Sequence, residues 1–118
     1  MDDSRKQILI SAGIDVDDAL ERLMGNESLL ERFLKKFLED ENYEKLKSAV
    51  SAGEQDAALT ASHTLKGVCG NLSISGLHGL LTRQVQLMRE DNWNEAAAMM
   101  PDISKAYEKA ADAVRRAF

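Results

Sequence analysis

The chain has 118 residues, of which 44% are apolar and 30% charged, and its formal net charge is -5. This length suits one compact domain with its own core, and the acidic balance argues against a nucleic-acid surface, which needs clustered Lys and Arg. The lone Cys69 excludes an internal disulfide, and no apolar run approaches the roughly 20 residues of a membrane span. Because the first residues also lack the pattern of a signal peptide, we expect a cytoplasmic protein without membrane contact and a single domain over residues 1–118.

The first half of the chain predicts three helices, since apolar residues recur at helical spacing and never alternate as in a strand. A polar lead over residues 1–12 precedes a first helix, which starts near Asp15 and stops near Gly25. The second helix begins after Asn26 and has the strongest amphipathic pattern, and the third spans about Asn42 to Ala52.

Three further helices are predicted in the second half. They run from about Gln55 to Leu72, from Ser75 to about Met88, and from about Trp93 to Arg116. Pro101 lies inside the last pattern and is expected to kink or split that helix. The predicted fold class is all-α: an up-and-down four-helix bundle over about residues 15–116, with an additional short N-terminal helix.

His63 is expected on the exposed face of the predicted fourth helix. At about 100° per residue, five apolar side chains fall opposite His63 and form a core-facing stripe: Ala58, Ala61, Leu65, Val68 and Leu72. The two glycines Gly67 and Gly70 share the histidine's face, although each glycine inside a helix costs about 1 kcal/mol relative to alanine. We interpret them as clearance for the approach of another protein.

Lys66, three residues after His63, is placed to put an ammonium group beside anything attached to the imidazole ring. A neutral imidazole is a good nucleophile near neutral pH, and phosphoryl transfer depends mainly on positioning and charge neutralisation. These residues therefore predict a phosphoryl acceptor at His63. The chain has no nucleotide-binding loop, so the phosphoryl donor must come from outside.

The segment His63-Thr64-Leu65-Lys66-Gly67, followed by Gly70-Asn71-Leu72, resembles the signature of histidine-containing phosphotransfer (HPt) domains of bacterial phosphorelays. The resemblance extends to Gly13-Ile14-Asp15 before the first helix and to the Leu34–Asp40 segment of the second. It implies a four-helix bundle in which Nε2 of His63 accepts a phosphoryl group from a receiver-domain aspartate and passes it to another. The implied partners are response-regulator receiver domains and a hybrid sensor histidine kinase.

The resemblance also implies a residue on the next helix that hydrogen-bonds the imidazole. The ungapped register puts Val85 there, which cannot do so, and we therefore prefer Gln84, with Gln86 as the alternative. Leu59 lies near the histidine face, where it either belongs to a docking patch for a receiver or simply packs against a neighbouring helix.

We expect no metal, no cofactor and no autonomous enzyme activity, since metal-ligand spacings and paired catalytic carboxylates are missing from the sequence. A monomer is expected, because a phosphotransfer module needs an accessible face. The alternative hypothesis is a phosphorylation-independent helical adaptor that binds receivers or other signalling proteins through the same face.

Overall fold

The computed structural model describes residues 1–118 and contains eight α-helices and no strand. The helices are α1 (Asp3–Ser11), α2 (Val16–Arg22), α3 (Glu27–Phe37), α4 (Asn42–Ala52), α5 (Gln55–Asn71), α6 (Ser75–Arg89), α7 (Trp93–Ala98) and α8 (Met100–Ala117). The predicted all-α class is confirmed. None of these helices combines the length and the apolarity that a membrane crossing requires.

The N-terminal residues expected to form a polar lead fold as helix α1, so the prediction for residues 1–12 was wrong. The Asp2 carboxylate caps the helix by accepting a hydrogen bond from the Arg5 N–H at 2.8 Å. Leu9 is fully buried, and α1 packs against α8. A single buried side chain and a tertiary contact stabilise a helix whose own apolar pattern is weak.

The boundaries of the next helices follow from local signals that are visible in the sequence. Asp15 accepts from the Asp18 N–H at 3.1 Å at the start of α2, and Asn26 accepts from the Leu29 N–H at 3.0 Å at the start of α3. Helix α4 ends at Gly53, which has a φ of +69°, a conformation that glycine adopts without steric cost.

The predicted last helix is split into α7 and α8. Pro101 is the second residue of α8, where its missing N–H would have had no intrahelical partner. The proline therefore starts a new helix rather than bending a continuous one, in agreement with the interruption predicted from the sequence.

Four of the helices pack against one another in series, and the core also contains buried residues of α1, α2 and α3. Helix α4 packs on α5, α5 on α6 and α6 on α8. Tyr43 of α4 stacks on Tyr107 of α8 with ring centroids 3.8 Å apart, which connects the first and last members of this series. Helix α3 packs against α8. The largest fully buried side chains are mainly aliphatic and include Leu34, Leu46, Leu65, Leu77, Leu81 and Ile103.

The N-terminal helices are attached to the turn between α5 and α6 by backbone hydrogen bonds. The Asp15 N–H donates to the Ser73 carbonyl at 2.8 Å, and the Gly76 N–H donates to the Gly13 carbonyl at 3.2 Å. Gly13 has a φ of +85°, and a Cβ there would lie 3.5 Å from the backbone of Gly76. The positive φ is the reason for glycine at position 13, because a Cβ at 3.5 Å would make only an ordinary van der Waals contact.

Candidate functional site

Helix α5 holds His63 on the solvent side. Four of the five residues predicted for the core-facing stripe are buried, and the fifth, Val68, is partly buried. His63 itself is exposed, and no residue of the chain hydrogen-bonds its imidazole. The side chain is therefore accessible to a partner from outside.

Lys66 lies one turn after His63 on α5 and is partly buried. Side chains three residues apart on a helix have Cβ atoms about 5–6 Å from each other, so the ammonium group can reach a substituent on the imidazole. None of the ion pairs of the chain involves Lys66. Its charge is thus available to neutralise an anionic group beside the ring.

The two glycines of this face have different surroundings. At Gly67, an added Cβ would meet nothing within 4 Å, so the surface next to His63 is open. At Gly70, an added Cβ would lie 3.3 Å from the Cδ2 and Nε2 atoms of His78. Gly70 therefore makes room for the His78 side chain. This is a structural reason for glycine at position 70, and the sequence pattern did not show it.

Gln84 does not orient His63, and our preferred assignment was wrong. The side chain is fully buried, and its Oε1 accepts a hydrogen bond from the Ser62 hydroxyl at 2.8 Å. Its Nε2 donates to the Ala96 carbonyl at 3.1 Å and to the Met100 sulfur at 3.3 Å. The amide therefore joins α5 to the α7–α8 region beneath the surface, and all its polar atoms have partners within the chain.

The alternative, Gln86, is exposed and lies about 200° around α6 from Gln84. It makes no hydrogen bond to His63. Val85 is buried and offers no hydrogen-bonding group. Neither glutamine named from the sequence thus hydrogen-bonds the imidazole. Leu59 is partly buried, which is compatible with both of its predicted roles.

Ser62 is a site-adjacent residue that sequence reasoning missed. It immediately precedes His63, is fully buried and bonds Gln84. The one available signal was Gln84 itself, a polar residue within the apolar stripe of α6. Because a buried amide needs partners, that position predicted a polar residue on a facing helix, although not which one.

A second polar cluster, also missed, braces the C-terminal end of α5. The Arg22 guanidinium donates to the Gly70 carbonyl at 2.9 Å and lies 3.3 Å from the Asp18 carboxylate. The same carboxylate accepts a hydrogen bond from the Ser73 hydroxyl at 2.5 Å. Gly70 is close to the end of α5, and its carbonyl also accepts a backbone hydrogen bond from the Ser73 N–H at 3.3 Å, so Arg22 is a second donor to this carbonyl.

A groove of about 990 Å³ lies between α4 and α5. Its lining includes Thr60, which is three residues before His63 on α5, so the groove reaches the neighbourhood of the histidine. Small side chains and exposed acidic residues make up most of the lining.

The remaining reactive side chains do not join the site. Cys69 is fully buried, and burial raises the pKa of its thiol to about 12, so it stays protonated at neutral pH. His78 is partly buried against Gly70. The structure brings together no group of three or more His, Cys, Asp or Glu side chains that could hold a metal ion.

Comparisons with known proteins give no further assignment, because no protein-family model, no curated protein and no solved structure matches the chain.

Proposed function

We propose that the protein is an HPt-type phosphocarrier in which His63 accepts a phosphoryl group from a receiver-domain aspartate and passes it to another receiver. The observation that carries the proposal is the surface of α5 around His63. An unpartnered imidazole is exposed, the adjacent Gly67 leaves the approach open, and Lys66 supplies an unpaired cation one turn away.

The chemistry is a reversible exchange of one bond for another. A lone pair of the neutral imidazole, on Nε2 by the HPt resemblance, attacks the phosphorus of an aspartyl phosphate. The P–N bond forms as the P–O bond to the aspartate breaks, and the carboxylate leaves with the bonding electrons. Lys66 stabilises the negative charge on the phosphoryl oxygens during this exchange.

The architecture that goes with this function is an up-and-down four-helix bundle formed by α4, α5, α6 and α8. The series of packed helices and the stacked Tyr43 and Tyr107 rings support it. In this arrangement α5 is a rigid element that holds His63 on the outside, and α1 and α2 are the additional N-terminal helices. Rigid placement favours transfer because the reacting atoms must be aligned in line.

The partners that this reaction requires are receiver domains and, upstream of them, a hybrid sensor histidine kinase. Magnesium would be supplied by the acidic pocket of the receiver. We propose that the protein acts as a cytoplasmic monomer, without its own ATP-binding kinase site.

The test uses a receiver domain phosphorylated with acetyl phosphate in the presence of magnesium. The wild-type chain, His63→Ala and His78→Ala are each incubated with it and analysed by intact mass and acid treatment. His78→Ala is the matched control, since it removes the only other histidine.

We expect an acid-labile gain of one phosphoryl group in the wild type and in His78→Ala, and no gain in His63→Ala. Label that persists in His63→Ala would contradict the assigned site. If a panel of competent receivers leaves the wild type unlabelled while still binding it, the chain is an adaptor and the carrier role is wrong.

A further inference from the structure

The groove between α4 and α5 is not used by the chemistry at His63. We propose that it docks a helix bearing Lys and Arg on the receiver that exchanges phosphoryl groups with His63. This inference rests on the proposed function and adds the electrostatic character of the partner.

The position of the groove relative to His63 is the first argument. Thr60 lines the groove and lies on α5 one turn before His63, so their Cβ atoms are about 5–6 Å apart. Gly67 lies about 40° around the helix from His63, on the same side as Thr60. Since nothing covers Gly67, a protein that reaches the imidazole from this open side also covers the groove.

The charge of the groove is the second argument. Four exposed acids line it, Glu41, Glu44, Glu54 and Asp56, together with a single cation, Lys45. Lys45 lies 3.9 Å from Glu41, which leaves three carboxylates without a basic partner within the groove. A complementary partner therefore carries positive charge, and an acidic one is repelled.

The distribution of this charge indicates an elongated partner. Glu41 and Glu44 lie at the start of α4, whereas Glu54 and Asp56 lie at the start of α5. Because the two helices form a hairpin, their starts are at opposite ends of the groove. Basic side chains must then be spaced along the partner rather than gathered at one point.

The shape of the groove suits a helix. Ala49 and Ala61 are buried between the two helices, and Ser48, Ala52 and Ala57 are the other small side chains of the lining. Small residues allow another backbone to approach closely. The 11 residues of α4 extend about 16 Å, which corresponds to three turns of a docked helix.

Acidic residues near a helix start also stabilise the helix, because they interact favourably with the positive end of its dipole. The test must separate that effect from docking. The docking variant is Glu44→Gln with Asp56→Asn, which neutralises one acid at each end of the groove. The matched control is Asp3→Asn with Asp102→Asn. These two acids also lie in the first turns of their helices, α1 and α8, and neither lines the groove.

Rates of phosphoryl transfer are measured for each variant against increasing concentrations of the phosphorylated receiver that labels the wild type, at about 50 and 300 mM salt. For the docking variant we expect the half-saturating receiver concentration to rise about three- to tenfold at low salt, with the maximal rate within about twofold. The control should match the wild type. High salt should remove the difference between the docking variant and the wild type.

An unchanged half-saturating concentration in the docking variant, or an equal rise in the control, would overturn the groove proposal while transfer to His63 still stands. A fall in the maximal rate alone would also overturn it, because docking charge acts on encounter rather than on the chemical step. If the wild type accepts no phosphoryl group from any receiver, the proposed function fails first, and the groove proposal fails with it.

Discussion

Replacing Ser62 with alanine tests whether the hydrogen bond between Ser62 and Gln84 holds α5 in place beneath His63. The Ser62 hydroxyl is the only donor to Oε1 of Gln84, and both side chains are fully buried. Ser62→Ala therefore leaves an amide oxygen without a partner in a dry interior. Such a loss costs about 1–3 kcal/mol of unfolding free energy, or roughly 4–12 °C of melting temperature for a domain of this size.

Replacing Gln84 with methionine should cost less. The unbranched shape is kept, and the freed Ser62 hydroxyl can turn to the carbonyl one turn earlier in its own helix. The Ala96 carbonyl retains the hydrogen bond from the Met99 N–H at 3.2 Å. The double variant, Ser62→Ala with Gln84→Met, has no unpaired amide oxygen. We therefore expect it to be more stable than Ser62→Ala alone.

The free energy of unfolding is measured by equilibrium urea unfolding, followed by circular dichroism, for the wild type, Ser62→Ala, Gln84→Met and the double variant. The control is Ser51→Ala, which changes an exposed serine on α4 and should lie within about 0.5 kcal/mol of the wild type. The reasoning is refuted if Ser62→Ala is as stable as the control. It is also refuted if the two single changes simply add in the double variant.

Two further predictions concern the glycines and the thiol. Gly67→Ala should raise the free energy of unfolding by about 0.5–1 kcal/mol and slow phosphoryl transfer to His63. Gly70→Ala should raise the free energy of unfolding by less, because the His78 ring must move. Urea unfolding and transfer rates measure these two effects. The Cys69 pKa is raised from 9.0 to about 12 in the folded state, so its stabilising contribution is complete below pH 9 and is lost as the pH rises from 9 towards 12. Between pH 9 and 12, the free energy of unfolding should therefore fall less steeply with pH in Cys69→Ala than in the wild type, by up to about 1.4 kcal/mol per pH unit. Equal slopes in the two proteins would contradict the argument from burial of the thiol.

Local patterns were sufficient to predict most of the helices and the exposed face of α5. The helix ends are set by residues that act within a few positions of themselves: the caps Asp15 and Asn26, Gly53 and Pro101. Their effects can therefore be predicted from the sequence without knowledge of the tertiary structure. Helix α1 was missed because it packs against α8, which is distant in sequence, and its own apolar pattern is weak.

The same distinction holds around His63. Its exposure follows from its position opposite an apolar stripe on one helix, a property of the 3.6-residue period alone. Three other interactions near His63 each join different helices. They are the hydrogen bond between Ser62 and Gln84, the contact of His78 with Gly70, and the hydrogen bond from Arg22 to the end of α5. They depend on the register and crossing of packed helices, and only the tertiary structure decides these, because many side-chain pairings satisfy the same apolar pattern.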